Sequence, residues 1–415
     1  MIYLRPTENC TSMAKTKIGI LKEGKIPVDR RVPFTPAQVN EIHDKFKNAE
    51  VYVQASDVRS FRDQEYEEKG IKVVEDVSSC DILFGVKEVP IDSLIAGKTY
   101  LFFSHTIKQQ PYNRDLLRAV LGKKIRLIDY EVLTDEDNTR LVAFGRYAGI
   151  VGAYNGLLTF GKRYNLFHLR PAHECFDLQD LKKEYSKIKL PPIKIVLTGG
   201  GRVARGAMEV LSGTGIRKVT PAVFLNERLD EPVYTQLNSR DYNRSADGSE
   251  FSRSAFYKNP QDFEGDFQKY ARVADLLIAG AYWASNAPVL FTRQDAVKPD
   301  FKIRVIADIT CDIEGSIPST KQPATIEHPI YDYNPTDDLV EPPLKDEGNI
   351  TVMAVDNLPG ELPRSASEDF GRELIDNVLP HLLGNDTRKI IQRATLTNDG
   401  NLANKYEYLQ NYVSQ

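Results

Sequence analysis

The sequence predicts an α/β protein built on parallel sheets, and three observations predict it. Short apolar runs bounded by turn residues alternate with helical stretches through the first 130 residues. A later apolar run ends in three glycines and opens a helix. The 415 residues suffice for two domains, each with its own core. In the first stretch the apolar runs are "KIGIL", "VYVQ", "DILFGV", "TYLFFS" and "IRLIDY", with the amphipathic "TPAQVNEIHDKF" after the first. Parallel strands need such crossovers, because each must carry the chain back to the end of the sheet where the next strand begins.

Residues Phe144 to Tyr164 place Gly, Ala and apolar side chains at helical spacing and read as a connecting helix. At Pro191 a second unit opens, "PPIKIVLTGGGRVARGAMEVL". Its strand, Ile193 to Leu197, runs into Gly199, Gly200 and Gly201 and then into a helix through Arg202, Val203 and Ala204. Glycine lets backbone approach an anion, and the helix start offers it N–H groups. The spacing Gly199-x-Gly201-x-x-Ala204 therefore suggests dinucleotide binding, against the simpler alternative of a structural turn.

The acidic residue that would hold the adenine ribose is expected about 20 residues on. "KVTPAVFLNER", taken as the second strand, offers only Asn226 and Glu227 at its end. Arg202 and Arg205 beside the glycines tilt the choice from NAD(H) toward NADP(H), unless they are merely solvated. The polar stretch 226–269 reads as an insertion. "ADLLIAGAYW" and "IRVIADITCDIEG" read as further strands with functional loops. The tail carries an amphipathic helix, an Asn398-Asp399-Gly400 turn and a terminal helix.

Composition excludes several classes. With 54 basic and 58 acidic residues, a net charge of -4 gives no basic field for nucleic acid or membrane. Cys10, Cys80, Cys175 and Cys311 form no C-x-x-C pair, which fits a reducing, cytoplasmic setting. The N-terminal "MIYLRPTENCTSMAK" lacks the apolar core of a signal peptide and reads as a short extension, with Met13 as an alternative start. The six histidines show no metal-ligand spacing, and no nucleophile turn for Ser-His-Asp hydrolysis is present.

Taken in order, "GVKEVP", "LFFSHTIK", "IRLIDYE", "LVAFGRYAG", "AYWASNAPVLFTRQDA", "TIEHPIYDY" and "AVDNLPGELPRSASEDFG" closely resemble one family. It is the lysine-ketoglutarate reductase domain of the bifunctional aminoadipate semialdehyde synthase. More distantly they resemble the lysine-forming saccharopine dehydrogenases, alanine dehydrogenase and the transhydrogenase cofactor subunit. The resemblance implies two Rossmann-like domains with the active site in the cleft between them. The substrate domain would be discontinuous, 1–150 with 355–415, and the dinucleotide domain would be 151–354. It also implies a free-standing reductase, since the oxidising half of the bifunctional enzyme has no counterpart in the sequence.

The implied reaction condenses L-lysine with 2-oxoglutarate and reduces the imine to saccharopine with NAD(P)H. The family's acid-base pair falls on Lys87 and His105, with Glu88 and Glu131 as tuning carboxylates. Substrate carboxylates would meet Arg31, or its neighbour Arg30, and Arg140; Lys108 and Tyr130 are lesser candidates. The coenzyme side would take Gly199, Gly200, Gly201, Arg202, Val203 and Ala204, then Gly280, Ala281, Asp308, Asp356, Asn357 and Leu358. Asp308 would serve equally well as a turn cap. A lysine at a partly desolvated strand end loses basicity and a histidine titrates near neutrality, so the pair suits proton transfer. Partners would be small molecules, and the sequence leaves open whether the chain forms a homo-oligomer. The competing readings are an alanine-dehydrogenase-like enzyme and a non-catalytic dinucleotide-binding module.

Overall fold

A computed structural model describes residues 15–415; Cys10, Met13 and the remaining N-terminal extension lie outside the described residues. The chain divides into two units. One runs to Ala143 and is completed by Pro363–Gln415; the other is Phe144–Leu362. The dividing points expected at 150 and 355 thus fall at 143/144 and 362/363. The helix expected to connect the units lies wholly in the second, where it packs on the helix that follows the glycine loop.

The first unit holds β1 (Thr16–Ile20), β2 (Ala49–Gln54), β3 (Lys72–Val74), β4 (Ile82–Phe84), β5 (Thr99–Phe102) and β6 (Arg126–Asp129). They pair in parallel in the order β3-β2-β1-β4-β5-β6. The free edge of β6 is covered by the antiparallel hairpin Thr395–Asn398 and Asn401–Leu402, whose turn residues Asp399 and Gly400 have positive φ, as the Asn-Asp-Gly signal requires. Helix α1 (Pro36–Lys45) starts at a reciprocal cap: Thr35 accepts from the Gln38 backbone, and the Gln38 side chain accepts from the Thr35 backbone. Its Val39 and Ile42 are fully buried.

The second unit holds β7 (Lys194–Thr198), β8 (Arg217–Lys218), β9 (Val233–Leu237), β10 (Leu276–Ala279), β11 (Val305–Asp308), β12 (Ile330–Asn334), β13 (Leu339–Glu341) and β14 (Ile350–Met353). Their order is β13-β12-β14-β11-β10-β7-β9-β8, parallel except for β12 and β13.

Two elements differ from what the sequence predicts. "KVTPAVFLNER" is not the second long strand: Lys218 ends a two-residue edge strand, and Pro221–Asn226 is a helix capped by Thr220. Proline at the first helical position and threonine before it favour the helix over a strand. The strand beside β7 is instead β9, inside the stretch read as an insertion. Val233, Leu237 and Phe267 of that stretch belong to the core of this unit, so 226–269 is integral; only its middle, with the hairpin Asn243–Ser245 and Phe263–Gly265, is an elaboration.

Both sheets wind outward from a central first strand on one side and then resume on its other side. The chain therefore diverges beside β1 and β4 in the first unit and beside β7 and β10 in the second. At such switch points the loops leaving adjacent strand ends part, opening a crevice at the carboxyl edge.

Helix α2 (Gly145–Arg163) crosses α3 (Arg202–Gly213) with backbones in contact. A Cβ at Gly149 would lie 1.8 Å from the Val203 carbonyl oxygen, and one at Gly206 would lie 1.9 Å from that of Arg146. Neither helix backbone can yield without losing its own hydrogen bonds. Gly206→Ala should therefore lower unfolding free energy by roughly 1–3 kcal/mol, read from urea midpoints. Gly122→Ala, with open space around it, should change it by less than about 0.5 kcal/mol. Equal midpoints for the two variants would contradict the close crossing.

Candidate active site

In the first unit the carboxyl ends of four adjacent strands carry the candidate residues. Glu23, Asp29 and Arg31 follow β1, Lys87 and Glu88 follow β4, His105 and Lys108 follow β5, and Glu131 follows β6. The register fixes this neighbourhood: Phe84 pairs with Leu101, Phe102 with Asp129, and the Phe103 backbone continues the ladder by donating to the Val86 carbonyl.

His105 sits between two carboxylates. Its Nε2 lies 3.8 Å from Glu88 Oε1 and its Nδ1 lies 3.5 Å from Glu131 Oε2. Both oxygens are buried and meet no hydrogen-bond donor among the described residues, and the imidazole faces the two of them. The backbone of His105 has φ 54, a left-handed conformation uncommon outside glycine, and its ring stacks over Phe103 at 6.2 Å. Phe103 packs in turn on Tyr130 and Phe370.

The carboxylates are held from behind. Lys25 Nζ lies 2.7 Å from Glu88 Oε2, and Lys108 Nζ, about half exposed, lies 3.4 Å from Glu131 Oε1. Burial would raise the Glu131 pKa, but the neighbouring His105, Lys108 and Arg140 charges outweigh it and lower it to about 2. Arg140 lies with its guanidinium 6.0 Å from the centre of the Phe103 ring.

Sequence reasoning left Arg30 and Arg31 undecided; Arg30 is exposed, whereas Arg31 is 3 % exposed and grips Asp29 through Nε at 2.9 Å and a terminal nitrogen at 2.5 Å. That pair holds Asp29 well below the usual carboxylate range, even against its burial. Burial, followed by the positive charge of Arg31, lowers the pKa of Lys87.

Two residues of this cluster escaped the sequence reading. Asp129, at the end of β6, accepts from both the backbone and the hydroxyl of Ser104 and from the Glu131 backbone at 2.8 Å, tying the His105 loop to the Glu131 loop. Its burial raises its pKa to about 6. Glu23 accepts from the Val86 and Lys87 backbones at 2.6 and 2.9 Å and so fixes the turn that carries Lys87; burial pushes it up to about 7. Only their place at strand ends could have marked them.

The second unit brings together the glycine loop. Gly199 has φ 101, and a Cβ there would meet the Gly280 carbonyl oxygen at 2.9 Å and the Ala281 Cα at 3.1 Å, so the loops after β7 and β10 touch. Gly201 caps α3 and has open space where a side chain would stand, which leaves room for a phosphate against the helix start. Ala204 is buried beneath the loop. A dinucleotide pyrophosphate fits this cradle.

Of the residues after β11 and β14, Asp308 is 1 % exposed and wholly engaged. It accepts from the Thr310 backbone and hydroxyl, the Cys311 backbone and Thr320 Oγ1, so it closes its own loop instead of presenting an oxygen. Leu358 is buried over the position of Gly152 on α2, while Asp356 is exposed and Asn357 half-buried beside it.

Two doubly wound sheets, one carrying an ionisable cluster at its switch point and the other a glycine cradle, define the fold of alanine dehydrogenase. A solved L-alanine dehydrogenase matches 96 % of this chain and 100 % of its own with TM-score 0.64 at 16 % identity. A transhydrogenase from Sinorhizobium meliloti, 16 % identical, matches with TM-score 0.59 over 93 % of this chain and 98 % of its own. Residues 19–151 match the family model "Alanine dehydrogenase/PNT, N-terminal domain".

The resemblance seen in the sequence is borne out. The alpha-aminoadipic semialdehyde synthase of Mus musculus, a mitochondrial protein, is 33 % identical over 95 % of this chain and 48 % of its own length. The saccharopine dehydrogenase (NAD(+), L-lysine-forming) of Yarrowia lipolytica is 27 % identical over 92 % of this chain and 96 % of its own. The chain spans about half the length of the first of these relatives. Among the described residues no helix is long and apolar enough to cross a membrane.

A carboxylate whose folded pKa is depressed adds stability above its usual value and loses it as pH falls toward the folded value. For Glu131 that window runs from 4.5 down to about 2. Glu131→Gln should therefore cost roughly 2 kcal/mol near neutral pH, with the difference from wild type shrinking below about pH 4.5 in urea titrations. A pH-independent difference would contradict the ion-pair account.

Proposed function

We propose that this chain is an NAD(P)-dependent oxidoreductase that reversibly condenses L-lysine with 2-oxoglutarate and reduces the product to saccharopine. The observation that carries this reading is His105 held between Glu88 and Glu131 on the strand end beside Lys87. The similarity to lysine-forming saccharopine dehydrogenase along nearly its full length supports the choice of substrates.

The reaction needs protons moved before any reduction. The ε-ammonium of the substrate lysine must lose a proton before its nitrogen can attack the ketone of 2-oxoglutarate. Lys87 Nζ, made less basic by burial and by Arg31, takes that proton. The carbinolamine hydroxyl must then leave as water. Protonated His105, held between Glu88 and Glu131, supplies the proton. Arg31 and Arg140 orient the substrate carboxylates, with Lys108 as a further cation. Asp29 holds Arg31 in place, while Glu23 and Asp129 hold the turns that present Lys87 and His105.

Residues Gly199 to Ala204, with Gly280 and Ala281, would hold the coenzyme pyrophosphate. When bound, the nicotinamide coenzyme supplies the hydride that reduces the imine. Asp308 serves by keeping the loop after β11 closed, and Asp356 to Leu358 border the same edge of the sheet.

The test follows oxidation of NADPH and of NADH with lysine and 2-oxoglutarate. Turnover is expected, and Lys87→Met and His105→Gln should each lower it by about 100-fold or more while coenzyme binding persists. Absence of turnover with either coenzyme would sink the proposal. Activity with alanine and pyruvate in its place would mark an amino-acid dehydrogenase.

A further inference from the structure

A polar cleft lies at the amino edge of the first sheet, away from His105. Strand β6 runs from Arg126 to Asp129, so its ends lie about 10 Å apart; Glu131 follows one end and the cleft lies against the other. Arg126, His381, Asp386, Gln392, Thr395 and Asn398 line it, around a volume of about 480 Å³. Its walls come from the short helices Leu379–Leu382 and Ile390–Ala394 and from the hairpin beside β6. None of these residues takes part in the proposed reaction.

The polar groups of the cleft are unevenly satisfied. Asp386 is engaged with its own loop: Oδ1 accepts from the Ile390 backbone at 2.8 Å and Oδ2 from the Gln392 backbone at 2.9 Å, two N–H groups at the start of the second short helix. Thr395 donates its hydroxyl to the Ile391 carbonyl at 2.7 Å. Arg126 has no such partner. Half-buried at the strand start, its guanidinium makes no hydrogen bond and no ion pair among the described residues, and burial outweighs the Asp386 charge that supports it. His381 is 16 % exposed, and its Nδ1 is buried 3.6 Å from Asp386 Oδ1 without a hydrogen-bond partner. The Gln392 and Asn398 amides stand exposed at the rim, with no side-chain hydrogen bond among the described residues.

A partly buried cation that meets no acceptor carries a desolvation cost, which an anion entering the cleft would offset. A planar guanidinium pairs with two oxygens of a carboxylate or a phosphate at once, and the two amides and the imidazole are further donors around it. We propose that this cleft is a second ligand site of the chain, for a small oxyanion, a carboxylate or a phosphate, held by Arg126 with His381, Gln392 and Asn398 around it. The site stands independently of the reaction proposed above, because no residue of that reaction lines it.

The experiment follows the Cε1 resonances of the six histidines of the full chain, labelled with carbon-13. Sodium phosphate and, separately, sodium succinate are added at constant pH and ionic strength. His381 is assigned by the signal lost in His381→Gln. In wild type that signal should shift to saturation with at least one of the two anions, with a dissociation constant of about 1 mM or below. The tighter of the two identifies the site as one for phosphate or for carboxylate. Arg126→Gln should weaken the binding by about 10-fold or more, while the remaining histidine signals keep their wild-type positions and report that the variant is folded. Gln392→Glu, a change on the exposed rim that sets a negative charge at the mouth, should weaken it by about 3-fold or more. A His381 signal that follows neither anion to saturation, or equal affinity in wild type and Arg126→Gln, overturns the proposal. Should Arg126→Gln fail to fold, an unchanged affinity in Gln392→Glu overturns it.

Discussion

The constraint on which the rest depends is the reversal of winding beside each sheet's first strand. In the first unit the chain goes out through β2 and β3 and returns to lay β4 against the other side of β1; in the second it does the same around β7. The loops that part at the reversal are the natural place for side chains to face outward together. Lys87 and Arg31 leave the carboxyl ends on either side of one reversal, and Gly199 and Gly280 leave those on either side of the other.

On this scaffold the electrostatics of the first unit are arranged in alternation. Anions and cations follow one another across the edge: Asp29 with Arg31, Glu88 with Lys25 and His105, Glu131 with His105 and Lys108. Each of these three carboxylates has a cation beside it, but Lys87 has burial and a like charge acting on it. The result is one basic group kept less basic and one imidazole kept next to two anions. Asp129 and Glu23 hold the backbone beneath them through main-chain donors, a role that needs a carboxylate acceptor and no titration.

The parts legible in the sequence were those with strong local signals. "DILFGV" and "TYLFFS" are uninterrupted apolar runs, so their strand ends, and with them Lys87 and His105, could be placed. The glycine triplet between an apolar run and a helix was equally plain. What was hidden had weak or competing signals. Strand β9, "VYTQL", is short and set in a polar neighbourhood, while "VTPAVFL" has the apolarity of a strand but the Thr-Pro start of a helix. The end of the strand beside β7 therefore lies at Leu237 and not at Asn226. Glu23 lies in "KEGK", where a partly buried carboxylate looks like any turn residue, and Asp129 looks like an ordinary strand end. Asp308 illustrates the opposite failure, because its four donors are brought together by a loop whose closure no spacing reveals.

The central claim is that the strand-end environment of the first unit makes Lys87 an unusually weak base. The direct measurement is an NMR pH titration of lysines reductively methylated with carbon-13, with Lys87 assigned by its loss in Lys87→Met. The account predicts a Lys87 resonance titrating clearly below the usual lysine value of 10.5 while exposed lysines titrate near it, and a partial return toward that value in Arg31→Gln. A Lys87 that titrates with the exposed lysines in the wild-type protein would contradict it.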